Sequence, residues 1–130
     1  MSRPIDSKVY FVSGHRDVTP DEFNYHYVPA LLKAYKEGAV VVVGDYYGVD
    51  AMAQQWLKRW GVFTIVYHMF ESPRNNCGLP TKGGFHSDEA RDSAMTLHSD
   101  EDIAWVRPGK ESSGTAQNLA RRKRFSDNNT

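Results

Sequence analysis

Between Gly38 and Gly44 the chain reads Ala39-Val40-Val41-Val42-Val43, an apolar run that is almost wholly β-branched. A run this short suits a strand better than a buried helix, and a strand with no polar position must be covered on both faces. Parallel sheets sandwiched between helices provide that cover. Lys8 to Ser13 and Val62 to Met69 read as further strands, as does Asp102 to Val106.

Helix signals alternate with these strands. In Thr19-Pro20-Asp21-Glu22, Thr suits the N-cap, Pro the first helical position, and Glu the third place of a capping box. Phe23, Tyr27, Ala30, Leu31, Ala34 and Tyr35 then recur on one face up to Gly38, and Pro29 inside the pattern predicts a kink or two short helices. Val49 to Trp60 is a helix stopped by Gly61, and Trp56 and Trp60, one turn apart, are expected to pack. Ser87 caps a helix running to about His98, and Thr115 to Arg124 forms the last. The expected fold is therefore α/β: a Rossmann-like open, mostly parallel sheet of about 4–5 strands with helices on both faces. Residues 70–86, with no periodicity, read as a functional loop. No apolar strand follows the last helix, so the usual edge strand is expected to be missing or supplied differently, which leaves a homodimer open.

At 130 residues the chain suits a single domain, taken as residues 1–124, with 125–130 a polar tail expected to be disordered. Its 16 Lys+Arg balance 16 Asp+Glu, which argues against coating nucleic acid or membranes through bulk charge. The run Arg121-Arg122-Lys123-Arg124 reads first as the charged end of a helix and second as a nucleic-acid contact. Cys77 is the only cysteine, so no internal disulfide is available, and no base for it as a nucleophile can be assigned. The five histidines show no ligand spacing; no metal and no cofactor are expected. Nothing approaches the length of a membrane span and Met1 to Ser7 is too polar for a signal peptide, so the expectation is a cytoplasmic protein with no membrane partner.

In open parallel sheets ligands sit beyond the carboxyl ends of the strands. Three glycine-bearing turns fall there, each opening onto a helix: Ser13-Gly14-His15-Arg16, Gly44-Asp45-Tyr46-Tyr47-Gly48-Val49-Asp50, and Ser113-Gly114-Thr115. Such turns expose backbone N–H groups at the positive end of a helix dipole and suit phosphate, although each can also simply turn the chain. None matches GxGxxG or GxxxxGK[ST], which disfavours a nicotinamide dehydrogenase or a Walker-type NTPase. Tyr46 and Tyr47 are placed to stack a base or to pack against the protein.

Gly44-x-x-x-Gly48-x-Asp50-x-x-Ala53, then Arg91-Asp92-x-x-Met95, then Ser113-Gly114-Thr115-Ala116 resemble in order and spacing the SLOG superfamily, especially its small YspA-like members. That superfamily also includes the LOG phosphoribohydrolases and the DNA-processing protein DprA. The resemblance implies a Rossmann-like domain that binds nucleotides or nucleotide-derived molecules. It implies that Gly44 and Gly48 form the first glycine turn with Asp50 as its acidic position, that Arg91 clamps phosphate, and that Ser113 to Thr115 form the phosphate-side loop. Asp45 joins the candidate ligand-binding set with Ser13, Gly14, His15 and Arg16. The chain departs from the phosphoribohydrolases at Asn118, where they carry a catalytic Glu, and catalytic residues stay unassigned; Asp17, Asp45 or Asp50 would have to substitute. Glu111 would weaken a phosphate site if it pointed inward. The leading expectation is a binder or sensor of a nucleotide-derived molecule. An N-glycosidase on nucleoside phosphates comes second, and a binder of single-stranded nucleic acid third.

Overall fold

The computed structural model describes residues 7–128. Five strands, β1 (Val9–Ser13), β2 (Val40–Gly44), β3 (Thr64–Met69), β4 (Thr81–Phe85) and β5 (Glu101–Ala104), form one sheet in the order β4-β3-β2-β1-β5. Every neighbouring pair is parallel. The helices are α1 (Pro20–His26), α2 (Val28–Lys36), α3 (Val49–Trp60), α4 (Asp88–Leu97) and α5 (Gly114–Asn128). None of the described helices is long and apolar enough to cross a membrane.

Alternation along the central strands makes the two cores. Tyr10, Val12, Val41 and Val43 join Phe23, Leu31, Ala53 and Leu57 from α1, α2 and α3 in one cluster. Val9, Phe11, Val40 and Val42 face the other way, with Met95 of α4. Successive side chains of a strand point to opposite faces, so the valine run can fill both layers. The chain builds β1 to β4 outward in one direction and then returns past β1 to place β5, so the sheet reverses between β1 and β5.

The helix starts follow the sequence signals. Thr19 Oγ1 accepts from the Glu22 N–H at 3.1 Å while the Glu22 carboxylate accepts from the Thr19 N–H at 2.9 Å, closing the capping box. Pro29 is accommodated by two short helices that meet at Tyr27. Trp56 and Trp60 stack at 5.0 Å.

Two expectations are corrected. The segment 70–86 is not wholly irregular: Thr81–Phe85 adds to β3 and supplies the edge strand. The last helix continues to Asn128, so 125–128 are helical where a tail was expected; 129 and 130 lie outside the described residues. Within that helix, Arg122 fastens α5 to the end of α4. Its guanidinium donates to the Thr96 and Ser99 carbonyls at 3.1 and 2.8 Å and to Asp102 Oδ1 at 3.2 Å. Burial raises the Asp102 carboxyl above its usual range although Arg122 pulls the other way.

Arg122→Ala would leave Asp102, whose side chain is only 5% exposed, without its cation. The expected loss is about 3 kcal/mol of unfolding free energy, read by urea denaturation, whereas exposed Lys123→Ala should change it by less than about 0.5 kcal/mol.

Candidate functional site

A cavity of about 410 Å³ opens at the carboxyl edge of the sheet, between the turns after β1 and β2, the first turns of α4 and the start of α5. Small-ligand sites begin near this size, roughly 300 Å³. Of the residues expected to bind ligand, Ser13, Gly14, His15, Arg16, Gly44, Asp50, Arg91, Ser113, Gly114 and Thr115 line it. Asp45 and Gly48 do not.

Both exceptions hold the site's frame. Asp45 turns to the loop after β3, where it accepts from the Arg74 backbone N–H at 2.7 Å and from the Arg74 guanidinium at 2.9 Å. It also accepts from Arg91 Nη1 at 2.7 Å. Burial alone would raise its pKa, but the bonds from Arg74 and the charges of Arg74 and Arg91 hold it below the usual range. Gly48 has φ +69°, and a Cβ there would collide with the carbonyl oxygens of His15 and Arg16. Only glycine combines that conformation with that closeness. Gly44 is tight in the same way, since a Cβ would lie 2.5 Å from Asp50 Oδ2.

One wall of the cavity donates hydrogen bonds. Ser13 is 6% exposed and its Oγ is buried with no partner among the described residues. His15 Nε2 accepts from the Arg107 N–H at 2.9 Å, which places the ring hydrogen on Nδ1 in the neutral form. Burial and then the Arg107 charge push its pKa below the ordinary value. Arg107 is itself held by Glu22 at 2.8 Å and Asp17 at 2.9 Å; its hydrogen bond, with the Thr19 N–H, lowers Glu22 to about 2. Ser113 Oγ accepts from the Ala116 N–H at 3.2 Å in the manner of an N-cap. The next two N–H groups, of Gly114 and Thr115, begin the helix and precede its first intrahelical bond. Arg16 adds an exposed cation at the rim.

The part of the lining that α4 and Asp50 supply is acidic. Asp88, Arg91, Asp92 and Met95 occupy i, i+3, i+4 and i+7 of α4 and all line the cavity. Arg91 is not a free phosphate clamp, because its guanidinium is occupied by carboxylates. Nη1 contacts Asp45 at 2.7 Å and Asp88 at 3.2 Å, and Nη2 contacts Asp92 at 2.8 Å. Burial works against its charge, but Asp92, Asp50 and Asp88 outweigh it and raise its pKa. Asp92 Oδ2 accepts from Asn118 Nδ2 at 3.1 Å, and Asn118 Oδ1 accepts from Arg121 at 2.6 Å. Asp50, 6% exposed, receives the Tyr46 N–H at 3.1 Å. Burial is the main cause that lifts it to about 7; Arg91 and the Tyr46 N–H oppose the rise, while Asp92 and Asp45 add to it.

Phe11, Asp88, Asp92 and Met95 line the cavity without having been singled out as ligand-binding. The α4 spacing carried the signal for Asp92 and Met95, because Asp88, Arg91, Asp92 and Met95 form one helical stripe. Of the two tyrosines, Tyr46 lines the cavity, with Arg74 over its ring at 4.7 Å, while Tyr47 is 56% exposed and does not. Among the three aspartates considered in place of the missing Glu, only Asp50 reaches the cavity. Among the described residues no cluster of His, Cys, Asp and Glu is arranged to hold a metal. No family model, curated protein or solved structure matches the chain.

The raised Asp50 pKa has a stability consequence. An unfolded Asp ionises near 3.8 and the folded one near 7, so its contribution is fully present below about pH 4 and is lost as pH rises to about 7. Against Asp50→Asn, wild-type unfolding free energy should fall by up to about 4 kcal/mol across that window, measured by urea denaturation at each pH.

Proposed function

We propose that the protein binds a nucleoside phosphate or a closely related nucleotide-derived molecule in this cavity. The observation that carries the reading is a lining that brings hydrogen-bond donors and carboxylates to one cavity, with the buried Ser13 Oγ left unpartnered among them. A phosphate suits the N–H groups of Gly114 and Thr115, the His15 Nδ1–H and the Arg16 cation. Sugar hydroxyls or base N–H groups suit the carboxylates of Asp88 and Asp92. The resemblance to the SLOG superfamily points to the same edge and the same ligand class. Ser13 and His15 do not form a nucleophile and base, because the His15 nitrogen that accepts is already bonded to the Arg107 N–H.

One observation favours a second reading, N-glycoside hydrolysis. Asn118 stands where the phosphoribohydrolases carry Glu, yet it donates to Asp92, so a carboxylate enters the cavity from α4. In that reading water adds to the anomeric carbon, the departing base nitrogen takes a proton, and Asp92 stabilises the oxocarbenium-like state between them. Single-strand nucleic-acid binding has less support. Arg121 and Arg122 are engaged within the protein, and Lys123 and Arg124 alone of the basic run are exposed.

Equilibrium dialysis against a pool of nucleoside monophosphates, nucleotide sugars and ADP-ribose, read by mass spectrometry over hours, separates the two. Retention of an intact compound supports binding, steady release of free base supports hydrolysis, and neither outcome rejects both. A point variant tests the anion end. Gly114 begins α5 with open space around its Cβ position, so Gly114→Pro keeps the helix start and deletes one N–H. It should weaken binding of adenosine monophosphate roughly tenfold, about 1.5 kcal/mol, with an unchanged thermal midpoint.

A further inference from the structure

Asp50 sits in the cavity wall with its two oxygens in different circumstances. Oδ2 is wedged against Gly44 and accepts the Tyr46 N–H at 3.1 Å. Oδ1 has no hydrogen-bond partner among the described residues, and the side chain lines the cavity. The nearby cation does not serve it, because Arg91 directs Nη1 to Asp45 and Asp88 and Nε and Nη2 to Asp92.

The groups around Asp50 make a further negative charge costly. From α4 it faces Asp88, Asp92 and Arg91, and from its own turn Asp45, whose charge Arg74 and Arg91 already share. From the α1–α2 junction comes Tyr27, whose hydroxyl donates to the Ser13 carbonyl and accepts from the Trp105 N–H, and whose pKa burial pushes far up. From the turn after β1 come His15, held neutral, and Arg16. The residues of α5 that line the cavity, Ser113 to Thr115 and Asn118, carry no charge. A carboxyl buried among carboxylates, with one backbone N–H and no cation bonded to it, holds its proton to higher pH than an exposed one, although the Arg91 charge pulls the other way.

The geometry points to Asp50 as a neutral hydrogen-bond donor on the acidic wall: its O–H is offered to an acceptor atom of the bound ligand, so the site selects ligands that present an acceptor there and loosens as that proton is lost. This rests on the reading of the cavity as a nucleotide site. Asp88 and Asp92 accept from the ligand while Asp50 donates, so the wall reads a mixed donor and acceptor edge, as a nucleobase presents. A wall of ionised carboxylates alone would accept only donors.

Two measurements test this. Carbon-13 carboxyl titration of aspartate-labelled wild-type protein, with Asp50→Asn to assign the resonance, should give Asp50 a midpoint near 7; a midpoint in the ordinary carboxylate range overturns the proposal. Calorimetric titration with adenosine monophosphate from pH 6 to 9 compares wild type, Asp50→Asn and Asp50→Ala. Asn keeps the shape, an acceptor for Tyr46 and a donor for the ligand, and has no proton to lose in this range, so its affinity is the reference at each pH. The wild-type dissociation constant should then rise relative to Asp50→Asn, approaching tenfold per unit above about pH 7, and Asp50→Ala should bind weakly throughout. The Asn comparison cancels titration of the phosphate and of His15. Parallel wild-type and Asn profiles with ligand bound overturn the donor role and leave the site reading standing. No binding by either protein at any pH overturns both.

Discussion

The buried guanidinium of Arg91 is the interaction on which the site depends. It draws Asp45 from the turn after β2 and Asp88 and Asp92 from α4 into one ion cluster, and Asp45 in turn holds the backbone and side chain of Arg74. One cation thereby fixes the mouth of β2, the loop beyond β3 and the first turns of α4 against one another. Desolvating these charges is expensive, and the cluster is stable only because the carboxylate oxygens find hydrogen bonds as well as charge. Its cost also explains Asp50, which is left without a strong cationic partner of its own.

The fold turns this cluster into one wall of a cavity. Because the sheet reverses between β1 and β5, α4 and α5 are brought to the same face while the turns after β1 and β2 open toward them. The start of α5 then joins the acidic stripe of α4 in one lining, with Asn118 bonded to Asp92 at 3.1 Å. The result is a pocket whose lining mixes hydrogen-bond donors with carboxylates, and a phosphate joined to a sugar and base offers partners to both.

Much of this was legible in the sequence because it followed local rules. The valine run, the Thr19 to Glu22 capping box and the split at Pro29 depend on neighbours within one turn or one strand, and each is found where its pattern puts it. The glycine turns after β1 and β2 and before α5 marked the cavity's edge correctly for the same reason. What was not legible depended on partners far away in the chain. β4 reads TKGGF, exposed and bearing two glycines, and is a strand because β3 offers it a ladder and because His68 occupies the space where a side chain at 83 would stand. The fastening of α5 by Arg122 depends on Ser99 and Asp102, 20 or more residues away. For Arg91 a local pair to Asp88 or Glu89 stood beside the clamp reading, and Asp88 is indeed a partner; its bond to Asp45 spans 46 residues, a separation that no spacing rule covers.

Amide chemical-shift mapping of nitrogen-15-labelled protein titrated with adenosine monophosphate asks whether a nucleotide occupies this cavity. The expected result is saturable shifts concentrated on Ser13 to Arg16, Gly44, and Gly114 and Thr115, with the strands beneath them moving little. Shifts centred on another surface, or none at millimolar ligand, would contradict it.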